Sequence, residues 1–184
     1  MEVILMSNSR RKEILAAASF IIENYGMEKL TLEAVAKQAG ISKGGLLYHF
    51  PNKDAIIKGM IDEYSSAFLM DVRDKVSNSS ESIGKWHRAY LESAINDTGL
   101  SNGLVSAYVA TLFTNPLLLS KFQSDSQELY EEMEKDEIEP IKAVIIRLAI
   151  DGLCYSEIFK IGKIDEGLKQ KVIQQLISWT KEYE

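Results

Sequence analysis

Two lysines stand where a helix does not ordinarily place them. Lys43 and Lys53 each fall in the first turn of a predicted helix, where the partial positive charge of the helix N-terminus disfavours a cation. A phosphate or a base edge facing those turns reverses the sign, because the same N-terminus attracts anions. The residues around them can also reach a nucleic acid. Thr31 and Ser42 carry hydroxyls at the heads of two predicted short helices, His49 can donate to a phosphate, and Tyr48 offers a phenol or a ring face. Gly44 and Gly45 follow Lys43 directly. Each glycine inside a helix costs about 1 kcal/mol relative to alanine. A purely structural helix would seldom carry both, whereas a bare backbone lets DNA approach closely. The competing use of the pair is close packing against the preceding helix. Lysine is a common partner of guanine O6 and N7 in the major groove.

The elements that must position these groups are helical. The chain has 184 residues, 46% apolar and 26% charged, a globular composition with room for one or two domains. Pro51, Pro116 and Pro140 are the only prolines. Each stands before or at the start of an apolar-periodic stretch, where proline is tolerated. No hairpin signal separates alternating apolar runs, so the chain reads as all-α. The first helix is predicted from about Asn8 or Ser9 to Tyr25 and ends at Gly26. Thr31 caps a short helix to Ala39, Ser42 caps another to about Phe50, and a fourth runs from Lys53 to the polar residues near Ser77. Later helices are predicted over about 82–96, 101–113, 116–138, 140–161 and 165–182, the last capped by Asp165. The acidic run from Glu131 to Glu139 reads as a solvated face.

Thr31 to Phe50, TLEAVAKQAGISKGGLLYHF, has the spacing of a helix-turn-helix. Val35, Ala36 and Ala39 form an inner face, and Gly40 allows a tight turn. Ile41 plugs that turn, and Leu46 and Phe50 return the second helix to the same core. Ala39 to Ile56, AGISKGGLLYHFPNKDAI, resembles the TetR/AcrR family of transcriptional repressors. The match is strongest from Arg10 to about Tyr64, and the rest resembles the family only in length and helical pattern. The resemblance implies a three-helix helix-turn-helix domain over 1–52 and a helical ligand-binding and dimerisation domain over 53–184. It implies a homodimer that represses transcription from a palindromic double-stranded DNA operator. A small effector then releases the DNA through a shift of the fourth helix. The DNA-contacting positions it implies are Thr31, Ser42, Lys43, Gly44, Gly45, Tyr48, His49 and Lys53. One departure is that the family often has tyrosine where this chain has Leu47, the aromatic following at Tyr48. Arg10, Arg11 and Lys12 read as a solvated helix start or as an arm touching DNA.

Beyond the motif, Ala143 to Leu153 is apolar almost all round, and the last helix has a widened apolar face. This surplus predicts a four-helix dimer interface, with Ala149, Gly152, Leu168, Val172, Leu176 and Trp179 as its residues. Arg147 and Asp151 read as a simple pair at i,i+4. Effector-binding candidates are Phe68, Trp86, Tyr90, Tyr108, Phe113, Met133, Tyr155 and Phe159. The absence of a focused charge cluster on the apolar faces points to a hydrophobic ligand. His87 reads as a surface or hydrogen-bond-satisfied histidine.

Charge raises an objection. The net charge is −6, and phosphate binding favours a basic surface. The imbalance is local: residues 1–60 hold eight lysines and arginines against six acids, and 61–184 hold thirteen against twenty-one. Non-specific DNA affinity should therefore be weak. Cys154 is the only cysteine, which excludes an intrachain disulfide framework and a cysteine-based zinc site in one chain. No signal peptide, membrane span, cofactor, metal site or catalytic residue is expected, and the expected location is the cytoplasm. The alternative reading is a helical ligand-binding or scaffold dimer whose helix-turn-helix no longer binds DNA.

Overall fold

The structure, a computed structural model, describes residues 2–95 and 115–181. The described residues form eight helices and no strand. In chain order they are α1 (Glu2–Tyr25), α2 (Leu32–Gln38), α3 (Lys43–His49), α4 (Lys53–Asn78), α5 (Lys85–Ile95), α6 (Pro116–Met133), α7 (Pro140–Phe159) and α8 (Glu166–Trp179), with one 3-10 turn at Met27–Lys29. The all-α prediction therefore holds. α1 starts nearly two turns earlier than predicted, since no glycine or proline interrupts Glu2 to Asn8. α6 stops at Met133 because the chain turns, with Glu137 at a φ of 56°. The helix predicted over 101–113 lies outside the described residues.

The described residues divide into two compact units, one of residues up to 65 together with 115–118 and the other of residues 66–95 and 119–181. In the first unit α1 packs on α2, and α2 on α3. Its core buries Ile14, Ala18, Ile21 and Ile22 of α1 at the predicted helical spacing, with Leu30, Val35, Ala36, Leu46, Phe50, Ile57 and Met60. α2 and α3 have seven residues each, too few to be stable without such packing.

The second unit has two apolar clusters that share α5. Val72, Ala89, Leu129 and Met133 form one. Leu91, Ile146, Ile150 and Leu176 form the other. The N-terminus of α5 is held from far along the chain. Asp136 accepts from the Trp86 and His87 backbone N–H groups at 3.1 and 2.8 Å, and His87 Nδ1 lies 2.9 Å from the same carboxylate. Asp136 thus departs from the solvated acidic face predicted for its run: it is buried because its carboxylate satisfies orphan helix donors. His87 is buried and satisfied, not on the surface. The next residue, Arg88, donates through Nη1 to the Thr180 carbonyl and hydroxyl, both at 3.1 Å, and through Nη2 to the Ile83 carbonyl at 2.8 Å. The guanidinium thereby caps the end of α8, where a cation is favoured.

Gly84 makes this junction possible. Its φ is +67°, and a Cβ there would lie 2.2 Å from the Thr180 carbonyl oxygen. Gly84→Ala should destabilise the protein by about 2–4 kcal/mol through overlap with backbone that cannot yield. A thermal melt followed by circular dichroism should show the midpoint lowered by roughly 5–10 °C.

Candidate nucleic-acid interface

The turn between α2 and α3 is built by local chemistry. The Thr31 hydroxyl accepts from Ala34 N–H at 3.1 Å and begins α2. Gly40 has a φ of +66°. Its N–H reaches the Lys37 carbonyl and the Ile41 N–H reaches the Ala36 carbonyl, at 3.2 and 3.0 Å. Those two bonds are a Schellman closure, which needs a left-handed residue at Gly40. The Ser42 hydroxyl then accepts from Gly45 N–H at 3.1 Å and begins α3.

α3 buries one side chain, Leu46, and is fixed at its end by Phe50. Lys43, Gly44, Gly45, Leu47 and Tyr48 are exposed and His49 is half-buried. At about 100° per residue, Gly44 and Tyr48 point directly away from Leu46. Tyr48 is 83% exposed, with its ring edge-on to His49 at 5.2 Å. Leu47, 40% exposed, offers no hydrogen-bond donor beside it. The two glycines do not serve helix packing. A Cβ on Gly44 would meet only the Ser42 hydroxyl, at 4.0 Å, and one on Gly45 the same atom at 3.3 Å. No atom of α2 stands in their way, so the closely packed alternative is not what the geometry shows. The structure leaves a bare backbone strip on the outer face, flanked by a lysine and an aromatic.

The two lysines differ from the simple phosphate-facing expectation. Lys43 pairs with Glu33 of α2, and both side chains are more than half exposed. The Glu33 carboxyl is held below its ordinary range by the hydrogen bond from Lys43. Lys53 donates to the Met27 carbonyl at 3.1 Å, which ties the start of α4 to the 3-10 turn after α1. Asn52 caps α4 as expected, accepting from Ala55 N–H at 2.8 Å. In the basic run, Arg10 pairs with Glu13 at 2.6 Å, and the Arg11 guanidinium lies 4.6 Å over the Phe50 ring. Arg11 is thus a packing residue of the α3 anchor, through its cation–π contact.

In the second unit Phe68, Trp86, Tyr90 and Met133 come together around one apolar cluster. Tyr155 and Phe159 do not join them. They are half-exposed and lie 6.4 Å from each other along α7. Tyr108 and Phe113 lie outside the described residues. A cleft beside Trp86, lined by Leu69, Arg73, Leu129 and Glu132, has a volume of about 10 Å³, room for one water molecule.

A polar network that the sequence pattern did not reveal crosses this unit, and it departs from the expectation that the apolar faces carry no focused charge cluster. The Tyr90 hydroxyl donates to Asp151 Oδ1 at 2.6 Å, Arg147 Nη1 lies 3.4 Å from Oδ2, and the Arg147 guanidinium sits 4.6 Å over the Tyr130 ring. Burial first, and then the neighbouring Asp151 charge, push the phenols of Tyr90 and Tyr130 upward. Only the i,i+4 pairing of Arg147 and Asp151 was legible beforehand. Among the described residues no group of three or more histidine, cysteine or acidic side chains could hold a metal ion.

The residues assigned to an interface between copies are divided. Leu176 is buried, and Ala149, Val172 and Trp179 pack half-buried beside it, because α8 lies on α7 of its own chain. Gly152 and Leu168 remain exposed. So does a stripe at helical spacing along α7: Ile141, Val144, Ile145, Leu148, Tyr155 and Phe159. Ile146 and Ile150 are buried on the opposite side.

Two family models match the chain. Residues 14–60 match the model for bacterial regulatory proteins of the tetR family, and residues 84–181 match the tetracyclin repressor-like C-terminal domain. Among curated relatives, nucleoid occlusion factor SlmA of Vibrio vulnificus is 28% identical over 131 residues, 69% of this chain and 64% of that protein. The A-factor receptor protein of Streptomyces griseus is 33% identical over 55 residues, 30% of this chain and 20% of the receptor. The chain thus spans less than two thirds of the length of these relatives. In fold it is similar to the fatty acid degradation regulator FadR from Bacillus halodurans, with a TM-score of 0.68 at 18% identity over 91% of this chain and 94% of that one.

The bare strip on α3 yields a test in which stability and binding move in opposite directions. Gly44→Ala should stabilise the fold by about 0.5–1 kcal/mol, since alanine is the better helix former and the space is open. It should weaken binding to duplex DNA by about tenfold if the backbone approaches the groove there. A chemical denaturation curve and a DNA titration on the same preparation check both halves.

Proposed function

This chain belongs to the TetR family of bacterial regulatory proteins, and we propose that it is a ligand-responsive transcriptional repressor acting as a homodimer on a palindromic operator. The observation that carries the reading is the outer face of α3, where Gly44, Gly45 and Tyr48 stand free of the protein core on a helix held by Leu46 and Phe50. The family's members are regulators and not enzymes, and the chain's work is recognition. Lys43, Tyr48 and the strip between them enter the major groove. The hydroxyls of Thr31 and Ser42, which accept from their own helices, remain able to donate to phosphates. His49 and the N-terminus of α4 with Lys53 flank the same path and set register, because phosphate contacts position and base contacts specify.

The dimer uses the exposed apolar stripe of α7 with Gly152 and with Leu168 of α8. An apolar stripe of that length is costly to leave in water and is self-complementary about a two-fold axis. Two recognition helices about 34 Å apart then meet successive major grooves on one side of the duplex. The effector is a small, largely hydrophobic molecule bound in the second unit. Phe68, Trp86, Tyr90 and Met133 are its candidate contacts, with the Tyr90–Asp151 pair as the polar point among them. It releases DNA by its differential affinity for two states of the dimer, about 1.4 kcal/mol for each tenfold loss. As a regulator of transcription the protein works in the cytoplasm; among the described residues no helix is long and apolar enough to cross a membrane.

Selection of duplexes from a random pool by the purified full chain tests the reading. The expected product is an inverted repeat with half-sites about one helical turn apart, bound with an affinity that falls steeply as salt rises. Absence of any enriched sequence would favour the alternative of a helical dimer that no longer binds DNA. Leu148→Glu should convert the dimer to monomer in sedimentation and lower operator affinity by at least about a hundredfold, because a monomer engages only one half-site.

A further inference from the structure

Glu33 is the only acid among the twenty residues from Thr31 to Phe50, where Lys37 and Lys43 are the bases. It lies in the first turn of α2, where the helix dipole favours it. Lys43 lies in the first turn of α3, where the dipole works against it. The pair across the turn gives Lys43 the counter-charge that its own helix does not. The Glu33 carboxyl is correspondingly held low, first by that hydrogen bond. The side chains are 55% and 66% exposed for Lys43 and Glu33. An exposed pair of this kind is worth at most about fivefold in an equilibrium, so it forms readily and opens readily. A face meant only to hold phosphate as tightly as possible would not carry a carboxylate on its best-placed lysine.

We infer that Glu33 restrains sequence-independent DNA binding: it holds Lys43 in the free protein, and Lys43 reaches DNA only by leaving it. The inference rests on the DNA-binding reading given above. On arbitrary sequence the exchange gains little. One anionic partner of Lys43 replaces another, and the freed carboxylate is left beside the phosphates, where like charges repel. In register on an operator, contacts from the outer face of α3 offset that repulsion. Glu33 is therefore a positioning residue for Lys43 and acts on the ratio of operator to non-operator affinity.

The test uses the full chain, the duplex recovered by selection and a scrambled duplex of equal length, titrated across a salt series. The variants are Glu33→Gln, Lys43→Ala and the double substitution. Glu33 is exposed, and a glutamine side-chain oxygen can still accept from the residue's own backbone N–H as the carboxylate does, so Glu33→Gln should melt close to the parent. It should bind the scrambled duplex about twofold to fivefold tighter at low salt. Its plot of log affinity against log salt should steepen by about 0.9 for each lysine released onto DNA. The operator-to-scrambled ratio should fall. Lys43→Ala should cost less in the parent than in the Glu33→Gln background, which measures the coupling directly. Scrambled-DNA affinity and salt slope that stay unchanged in Glu33→Gln, or weaker binding, would overturn the inference while leaving DNA binding intact. Failure of the parent to bind any selected duplex would overturn the DNA-binding reading itself.

Discussion

A seven-residue helix cannot hold itself in water, and everything proposed for this protein depends on how α3 is held. Its attachment is narrow: Leu46 from its middle and Phe50 at its end, both fully buried. That economy is what frees the remaining faces. The anchor has its own supports. Arg11 covers the Phe50 ring from α1. Gly59 of α4 leaves room for it, since a Cβ there would fall 2.8 Å from Phe50 Cε1. Thr31, Gly40 and Ser42 close the backbone on the other side, so the short helix has satisfied ends and one firm grip. With its position fixed by core packing, its exposed surface is free to be chosen for recognition.

Electrostatics explains how an acidic chain keeps such a surface usable. All of the excess acid lies beyond residue 60. Part of it is structural, for Asp136 caps α5 and Asp151 binds Tyr90, both away from any solvated face. In the first unit the cations are not left idle either. Lys53 is tied to the Met27 carbonyl and Lys43 to Glu33. The interface therefore keeps both ammonium groups on partners of its own at rest and presents them to DNA only when these contacts open. A DNA-binding surface of this kind would rely on fit more than on charge, in keeping with the weak non-specific affinity expected from the sequence.

The parts of the fold that were legible in the sequence are those set by neighbours along the chain. Thr31, Ser42, Asn52 and Asp165 act as caps because the donors they meet are two or three residues away. Gly40 and Ile41 announced a turn for the same reason. The two-sided apolar pattern of α7 was also plain, and the structure buries one side and exposes the other. What was not legible depends on distant partners. Nothing local to Asp136 says that it will cap a helix some fifty residues earlier. The i,i+10 meeting of Lys43 with Glu33 follows from the angle between α2 and α3, not from either helix alone. Leu176, Val172 and Trp179 look like a surface for a second copy until α8 is seen lying on α7. The polar network around Asp151 draws on three helices, so no single periodicity contains it.

The central claim is that the outer face of α3 is the surface that meets DNA. Site-directed photo-crosslinking examines it most directly, with a benzophenone-bearing phenylalanine analogue in place of Tyr48 and, separately, in place of Phe20 on the exposed side of α1. Irradiated with the selected duplex, the position-48 protein should cross-link to bases in each half-site, and the position-20 protein should not. Cross-linking that is absent at position 48, or no stronger there than at position 20, would contradict the account.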